Sequence, residues 1–330
     1  MHTQHGSRSI LSIALLSALA VGAASCASPE STGADSSGDA VTVGTYPNNM
    51  ITISLDIAET QGFFEEEGLE VETIDVAKGP EGIAGLIGGS SQFTWATPAT
   101  FIPAVEQGQD IVAVPPFMDL DYGIFVPEDS DIQTVADLAG RNIGVNALGG
   151  AVQVFAEQVL EADGMTADDV QFVASGASIS QLPALENGQL DATSAAYGSM
   201  LSVRDAGLPV RLVASTLDGT GGEYGDTGLA SFWATTRATI EESPEAVEKF
   251  CRAVNKASAW LADDANRDEA IALIEDVTRT TAESATDLWE KERAFYHDTI
   301  DQERWNANIE MTTGESQSRS TYDESVYSCS

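Results

Sequence analysis

Ile83-Ala84-Gly85-Leu86-Ile87-Gly88-Gly89, leading into Ser91-Gln92-Phe93-Thr94-Trp95-Ala96-Thr97-Pro98, decides how this chain is read once it is set beside a second stretch. That stretch is Leu182-Pro183-Ala184-Leu185-Glu186-Asn187-Gly188, leading into Gln189-Leu190-Asp191-Ala192-Thr193-Ser194-Ala195-Ala196-Tyr197. The two share one grammar. A short apolar helix stops at glycine, which enters the left-handed conformation without a Cβ clash, and a short strand follows that ends in small residues and one aromatic. In an open α/β sheet ligands sit beyond the carboxyl ends of strands, so two such units predict two lobes facing one cleft. Ordinary helix-to-strand punctuation gives the same pattern, so the cleft depends on the rest of the chain.

With 330 residues, the chain is long enough for two domains with substantial cores. It carries 52 Asp and Glu against 15 Lys and Arg, a formal net charge of -37. That balance argues against nucleic acid, whose binding needs Lys and Arg to neutralise phosphates, and against an electrostatic grip on anionic lipid heads. With 43% hydrophobic residues and no long polar low-complexity body, the acid reads as the solvated shell of a globular protein. Lysine occurs only as Lys78, Lys249, Lys256 and Lys291, which suits a protein working outside the cell in high salt.

The amino terminus gives an address. Arg8 precedes the apolar run Ile10 to Val21, too short to span a bilayer as a mature helix and of the right length for a secretory signal. Ala23-Ala24-Ser25-Cys26 then resembles a bacterial lipobox, with Ala23 where such motifs more often carry Leu. Residues 1–25 are therefore expected to be a signal peptide, Cys26 a lipidation site, and residues 26–40 a lipid-anchored tether that can bury no core. A soluble exported protein with an incidental Cys26 is the alternative. With Cys26 acylated, Cys251 and Cys329 remain, and an even remainder in an oxidising compartment suggests a disulfide. A buried thiol at 251 and a free one near a frayed end would also fit.

The folded body starts at the strand Val41-Thr42-Val43-Gly44, followed by the loop Thr45-Tyr46-Pro47-Asn48-Asn49 and a helix over Thr52 to Thr60. Next comes Gln61-Gly62-Phe63-Phe64-Glu65-Glu66-Glu67-Gly68-Leu69-Glu70-Val71. This Gly-Phe-Phe turn, acidic helical turn and Gly-Leu-Glu-Val strand entry resemble the front of the solute-binding proteins of ABC importers in the nitrate, sulfonate, taurine and thiamine-precursor (NMT1/THI5-like) family. Val135 to Val145 resembles that family's Asp-Leu-x-Gly-Lys turn into the second lobe, with Arg141 for the commoner lysine. Gly164 to Val173 is similar to its link from helix to next strand, and Ser243 to Phe250 to its carboxyl-terminal helix start. Independently of any family, Ser243 is a natural N-cap and Pro244 fits the first helical position. Val247, Phe250, Cys251, Val254, Ala257 and Leu261 then mark one apolar helix face.

The resemblance covers roughly Val41 to Ile300. It implies an α/β, two-lobed, periplasmic-binding-protein-like fold of type II, with a two-strand hinge and carboxyl-terminal helices. It also implies a solute-binding lipoprotein on the outer face of the cytoplasmic membrane, at the cell surface or in the periplasm. Such a protein works as a monomer, needs no cofactor, and hands a small-molecule solute to a permease and ATPase complex. Lobe limits follow from the strands Ile111 to Pro116 and Tyr122 to Val126, read as the first crossing, and from a return near Leu229 to Thr236. Residues 41–121 and 229–330 form lobe one and residues 122–228 lobe two, and two crossings make a hinge that closes around the solute.

The solute site is expected on the loops facing the cleft. Tyr46 and Asn48 follow the first strand, Trp95 and Thr97 end the strand after the first glycine-stopped helix, and Asp121 and Tyr122 sit at the crossing. Gly149-Gly150 stands before an amphipathic helix, where free N–H groups can hold an anion, or is a plain turn. Ser175 adds a hydroxyl, while Tyr197 and Trp233 offer ring walls. Asp121 can bind an amine, or is a solvated loop acid. Trp260, Trp289 and Trp305 read as packing residues of the late helices. Because no Lys or Arg lies in these loops, a sulfonate or nitrate would rely on helix dipoles and neutral donors, so the solute leans to a neutral or cationic organic molecule with a flat or apolar part.

Catalysis finds little support. His2 and His5 fall in the signal and His297 in a late helix, and there is no Cys/His metal spacing, no Gly-x-Ser-x-Gly turn and no phosphate loop. Enzymes on a related fold that make the thiamine pyrimidine resemble a histidine- and cysteine-bearing pattern that this chain lacks. A ligand sensor that hands its closed form to a membrane receptor is the remaining alternative; a permease and ATPase encoded nearby would decide against it.

Overall fold

The computed structural model describes residues 39–176, 178–314 and 318–329. The expected signal peptide, Cys26 and most of the tether lie outside the described residues. Asp39 and Ala40, expected in the tether, instead open the first strand, pairing in parallel with Leu69 and Glu70. Lys249 of the helix Pro244–Ala262 holds the Asp39 carboxylate at 2.9 Å.

Eleven strands among the described residues form two sheets. They are β1 (Asp39–Thr45), β2 (Leu69–Asp75), β3 (Phe93–Ala96), β4 (Ile111–Asp119), β5 (Tyr122–Pro127), β6 (Asn142–Val145), β7 (Gln171–Ala174), β8 (Ala192–Ala196), β9 (Val210–Ser215), β10 (Leu229–Thr236) and β11 (Tyr296–His297). The first sheet runs β11-β4-β10-β3-β1-β2 and the second β7-β6-β8-β5-β9. The two orders are the same pattern. β1 and β6 open their sheets, β2 and β7 lie outside them, and β3 and β8 lie inside, all in parallel. The strand that follows each crossing, β10 or β5, then pairs antiparallel with β3 or β8. The two glycine-stopped units therefore feed the central strand of each sheet.

Local chemistry explains the units. The helix Gly79–Ile87 ends with Gly88 still right-handed and Gly89 at φ +76°, while Gly188 takes φ +66° after the helix Ser178–Glu186. Gly82 has a packing reason too, since a Cβ there would stand 2.5 Å from Thr94 Oγ1, so the helix rides close against β3. On the opposite face of that sheet, Phe93 stacks on Phe250 with ring centres 3.9 Å apart, and Trp233 meets Phe250 edge-on at 5.5 Å. Phe250 belongs to the apolar face of Pro244–Ala262, whose Val247, Cys251, Val254, Ala257 and Leu261 are all buried.

The carboxyl-terminal segment returns to the first sheet. Cys251 and Cys329 are joined in a disulfide, 78 residues apart in sequence with Cα atoms 6.1 Å apart. Tyr327 N–H donates to Ala113 O of β4 at 2.9 Å, and the Tyr327 hydroxyl bonds Glu248 at 2.7 Å. His297, expected in a helix, lies in β11, where it pairs antiparallel with Phe117. A two-residue strand is below what local periodicity can register.

Candidate functional site

The carboxyl ends of the central strands converge where the chain passes between sheets. Ala96 of β3 is in register with Phe232 of β10, and Ala196 of β8 with Tyr122 of β5. Leu120 and Asp121 make the first passage, between β4 and β5. The second passage runs through the short helix Gly222–Thr227. Side chains tie the two passages together: Thr216 Oγ1 donates to Leu120 O at 2.7 Å, and Ser215 Oγ to Tyr122 O at 3.3 Å. From the helix Gln302–Thr313, Arg304 donates to Thr227 O at 3.0 Å and Gly228 O at 2.9 Å while pairing with Asp119, and Asn308 Oδ1 accepts from Leu229 N–H at 2.9 Å. His297 Nε2 sits 2.9 Å from the other Asp119 oxygen.

Around this edge the sequence-derived residues separate into groups. Tyr46 and Trp95 stack, ring centres 5.1 Å apart at 25°, with Tyr46 partly exposed and Trp95 only 6% exposed. Asn48 is exposed in the left-handed region at φ +60°, a conformation Asn tolerates, and Asn49 caps the following turn through Ile51 N–H at 3.0 Å. Thr97 shares a capping box with Thr100 at the start of the helix Pro98–Glu106. Gly149 N–H is engaged by Gln153 Oε1 at 2.9 Å, so only part of that helix start is free for an anion. Ser175 donates its hydroxyl to Val173 O at 3.2 Å. Tyr197 opens the helix Tyr197–Asp205, buried, with its N–H on Asp121 O at 2.7 Å.

Two of the expected cleft residues are core, and one alternative falls. Trp233 is 2% exposed, directly opposite Trp95 in register and packed on Phe250, so its ring is core and not a cleft wall. Tyr122 is 5% exposed with its ring edge-on to Phe155 at 5.9 Å, so its ring also packs in the core of the second sheet. Asp121 is no solvated loop acid.

Asp121 is 4% exposed, and its Oδ1 is buried with no hydrogen-bond partner among the described residues. Burial pushes its carboxyl up to about 7, against the backbone N–H groups of Asp121 and Tyr197, which pull the other way. Glu292, which the sequence reading missed, is fully buried, and neither carboxyl oxygen has a partner among the described residues. Burial first and the Asp121 charge second hold it well above the usual carboxylate range. Beside them the Tyr296 phenol is raised well above its ordinary value by burial and then by Glu292, and its hydroxyl donates to Met50 O at 2.8 Å. Tyr197 is pushed up to about 12, by burial and then by Asp287.

A signal for Glu292 was present. Ala285, Leu288, Trp289 and Glu292 recur at helical spacing on the buried face of Ala282–Glu292, so the apolar stripe runs into an acid. Against the Asp121 side lies a cavity of about 50 Å³, reached by Asn48 and Asn49 from the first sheet's loop, Ser199 and Ser202 from the helix after β8, and Thr278. No group of three or more His, Cys, Asp or Glu among the described residues is arranged to hold a metal ion.

The family model described as NMT1/THI5 like matches residues 49–267. The chain is 26% identical over 227 residues to the putative aliphatic sulfonates-binding protein of Bacillus subtilis (strain 168), covering 67% of this chain and 65% of that protein. It is 24% identical over 223 residues to the 4-amino-5-hydroxymethyl-2-methylpyrimidine phosphate synthase of Aspergillus parasiticus, covering 63% and 62%. The chain thus spans a little under two thirds of the length of either curated relative. The crystal structure of the periplasmic aliphatic sulphonate binding protein SsuA from Escherichia coli is similar with a TM-score of 0.71 at 19% identity, over 83% of this chain and 85% of that one. That likeness shows the fold, which is the α/β fold of the periplasmic binding proteins.

Proposed function

The chain belongs to the NMT1/THI5-like family, and on that premise we propose that it is the extracytoplasmic solute-binding component of an ABC importer. One observation carries the reading: two sheets of matching order turn the carboxyl ends of β3 and β8 to the edge where the chain passes twice between them. Two lobes joined by paired strands close on a solute by a hinge motion. Residues 41–121 and 229–330 act as one lobe and 122–228 as the other. The protein is a monomer, exported and held at the membrane through Cys26, and it delivers its solute to a permease and ATPase.

Two solute classes have support, one from each curated relative: a sulfonate-type molecule and a heteroaromatic like a thiamine precursor. The chemistry of the edge favours the second. The partly exposed Tyr46 ring, backed by Trp95, offers a flat apolar surface, and a lining without Lys or Arg gives an anion no counter-charge.

The test is a thermal-shift screen of the purified chain against alkanesulfonates, nitrate, thiamine and its pyrimidine precursor, riboflavin and polyamines. A ligand bound only by the folded state stabilises it by about 2.7 kcal/mol at a hundredfold excess over Kd. At this chain length that is a shift of several degrees. A hit that also contracts the molecule in small-angle scattering is the expected result, and a panel without a hit would count against the reading. Separately, Cys26→Ala is expected to release the protein from the membrane fraction into the medium; retention would remove the anchor.

A further inference from the structure

Several hydrogen-bond acceptors line the cavity beside Asp121. Ser202 Oγ donates to Gly198 O at 3.0 Å, and Thr278 Oγ1 lies 2.7 Å from Ile274 O. A hydroxyl has one proton, so each of these turns only lone pairs toward the cavity. Asp121 adds a buried carboxyl oxygen with no partner among the described residues, and behind it stands Glu292, whose own carboxyl is held toward its protonated form by burial and by the Asp121 charge. The lining holds no Lys or Arg; its donors are neutral, namely the amides of Asn48 and Asn49, the Ser199 hydroxyl and the N–H groups of Gly198 and Ser199 at the start of Tyr197–Asp205. Buried acceptors left unmatched are costly, and a buried carboxylate more so, unless a ligand brings N–H groups and positive charge. At about 50 Å³ the cavity is small enough to fit the head group of a solute closely.

We propose that this cavity is the subsite for an N–H-bearing organic cation, a primary ammonium or a protonated ring amidine, gripped by Asp121 with Glu292 behind it. The proposal rests on the solute-binding reading and narrows its substrate class. The remainder of the solute extends from the cavity along the cleft edge. A quaternary ammonium carries the same charge without donors, so it cannot satisfy the acceptors.

The experiment compares thermal unfolding of the purified chain in methylammonium, ethylammonium and tetramethylammonium chlorides and NaCl, all at one ionic strength. The two N–H cations are expected to raise Tm by several degrees more than the other two salts, and Asp121→Asn to abolish the increment. Glu292→Gln is the second variant, should Asp121→Asn fail to fold, and is expected to weaken the N–H cations at least tenfold. Equal shifts from all four salts, or an increment that survives both substitutions, would overturn the subsite. A heteroaromatic or sulfonate that binds Asp121→Asn as tightly as the parent chain would also overturn it while leaving the solute-binding reading intact, whereas absence of any ligand across both panels removes the two together.

Discussion

At the scale of single residues, burial of acids sets a pH dependence whose sign can be worked out. Asp56 sits on the helix Ile53–Thr60, where burial and then the Glu59 charge push its carboxyl up to about 7 from 3.8. Below pH 4 it is protonated in both folded and unfolded chains. Between 4 and 7 the unfolded chain releases a proton that the folded chain keeps, so stability falls as pH rises through that window. Asp56→Asn is therefore expected to stabilise the protein by about 1–3 kcal/mol at pH 8, discounting for partial exposure, and by little at pH 4. Denaturant titration at the two pH values checks it, and equal gains at both would show that the charge is not the cause. Trp95 calls for a different probe. Its burial makes Trp95→Ala a core deletion costing about 3–5 kcal/mol of folding, so Tyr46→Ala is the cleaner test of stacking and should weaken a flat solute by about 1–2 kcal/mol. Calorimetric titration with a ligand found in the screen reads it. The sequence picked out Tyr46, Trp95 and Asp121 because each ends a recognisable strand. It misplaced Trp233 because only the non-local register that sets it opposite Trp95 shows which face of the sheet it shares.

Among elements, the helix Gln302–Thr313 does the most for the hinge, and nothing local announces it. Arg304 and Asn308 are one helical turn apart and read as solvated polar residues, yet they hold Asp119, Thr227, Gly228 and Leu229 across both passages. Arg304→Ala takes a donor from Gly228 O and from one oxygen of the partly buried Asp119, while Thr227 O keeps Asn308, at an expected cost of about 2–4 kcal/mol. Arg304→Lys should recover only part of it, because a point charge cannot span three acceptors set around a planar fork. Hydrogen exchange at Leu229, measured beside global stability, locates the loss; an unchanged rate there would make the contact ornamental. The disulfide acts on the same end of the chain. Closing a loop of 78 residues restricts the unfolded chain by about 4 kcal/mol in the entropic account, so reduction should lower Tm markedly. By contrast the start of Pro244–Ala262 was readable from Ser243-Pro244 and one apolar stripe, since capping and periodicity are local.

For the whole molecule the governing quantity is charge, -37 over 330 residues. Two electrostatic effects oppose one another when salt is added. Screening relaxes the repulsion among surplus acids, which stabilises the compact state. It also weakens exposed ion pairs, such as Lys256 with Glu66 and Arg252 with Glu67, which fasten Pro244–Ala262 to the acidic turn Phe63–Glu67. Each exposed pair is worth about 0–1 kcal/mol, and at most 15 Lys and Arg can form them, whereas the acids outnumber those cations by 52 to 15. Repulsion therefore dominates. Tm is expected to rise by several degrees from 0.1 to 2 M NaCl, with most of the gain below 1 M, where the screening length falls to about 3 Å. NaCl is the salt to use, because sulfate would add a separate strengthening of apolar burial. A flat or falling Tm would mean that the fold is held by its ion pairs against a charge the surface already disperses, and the high-salt reading of this composition would fall with it.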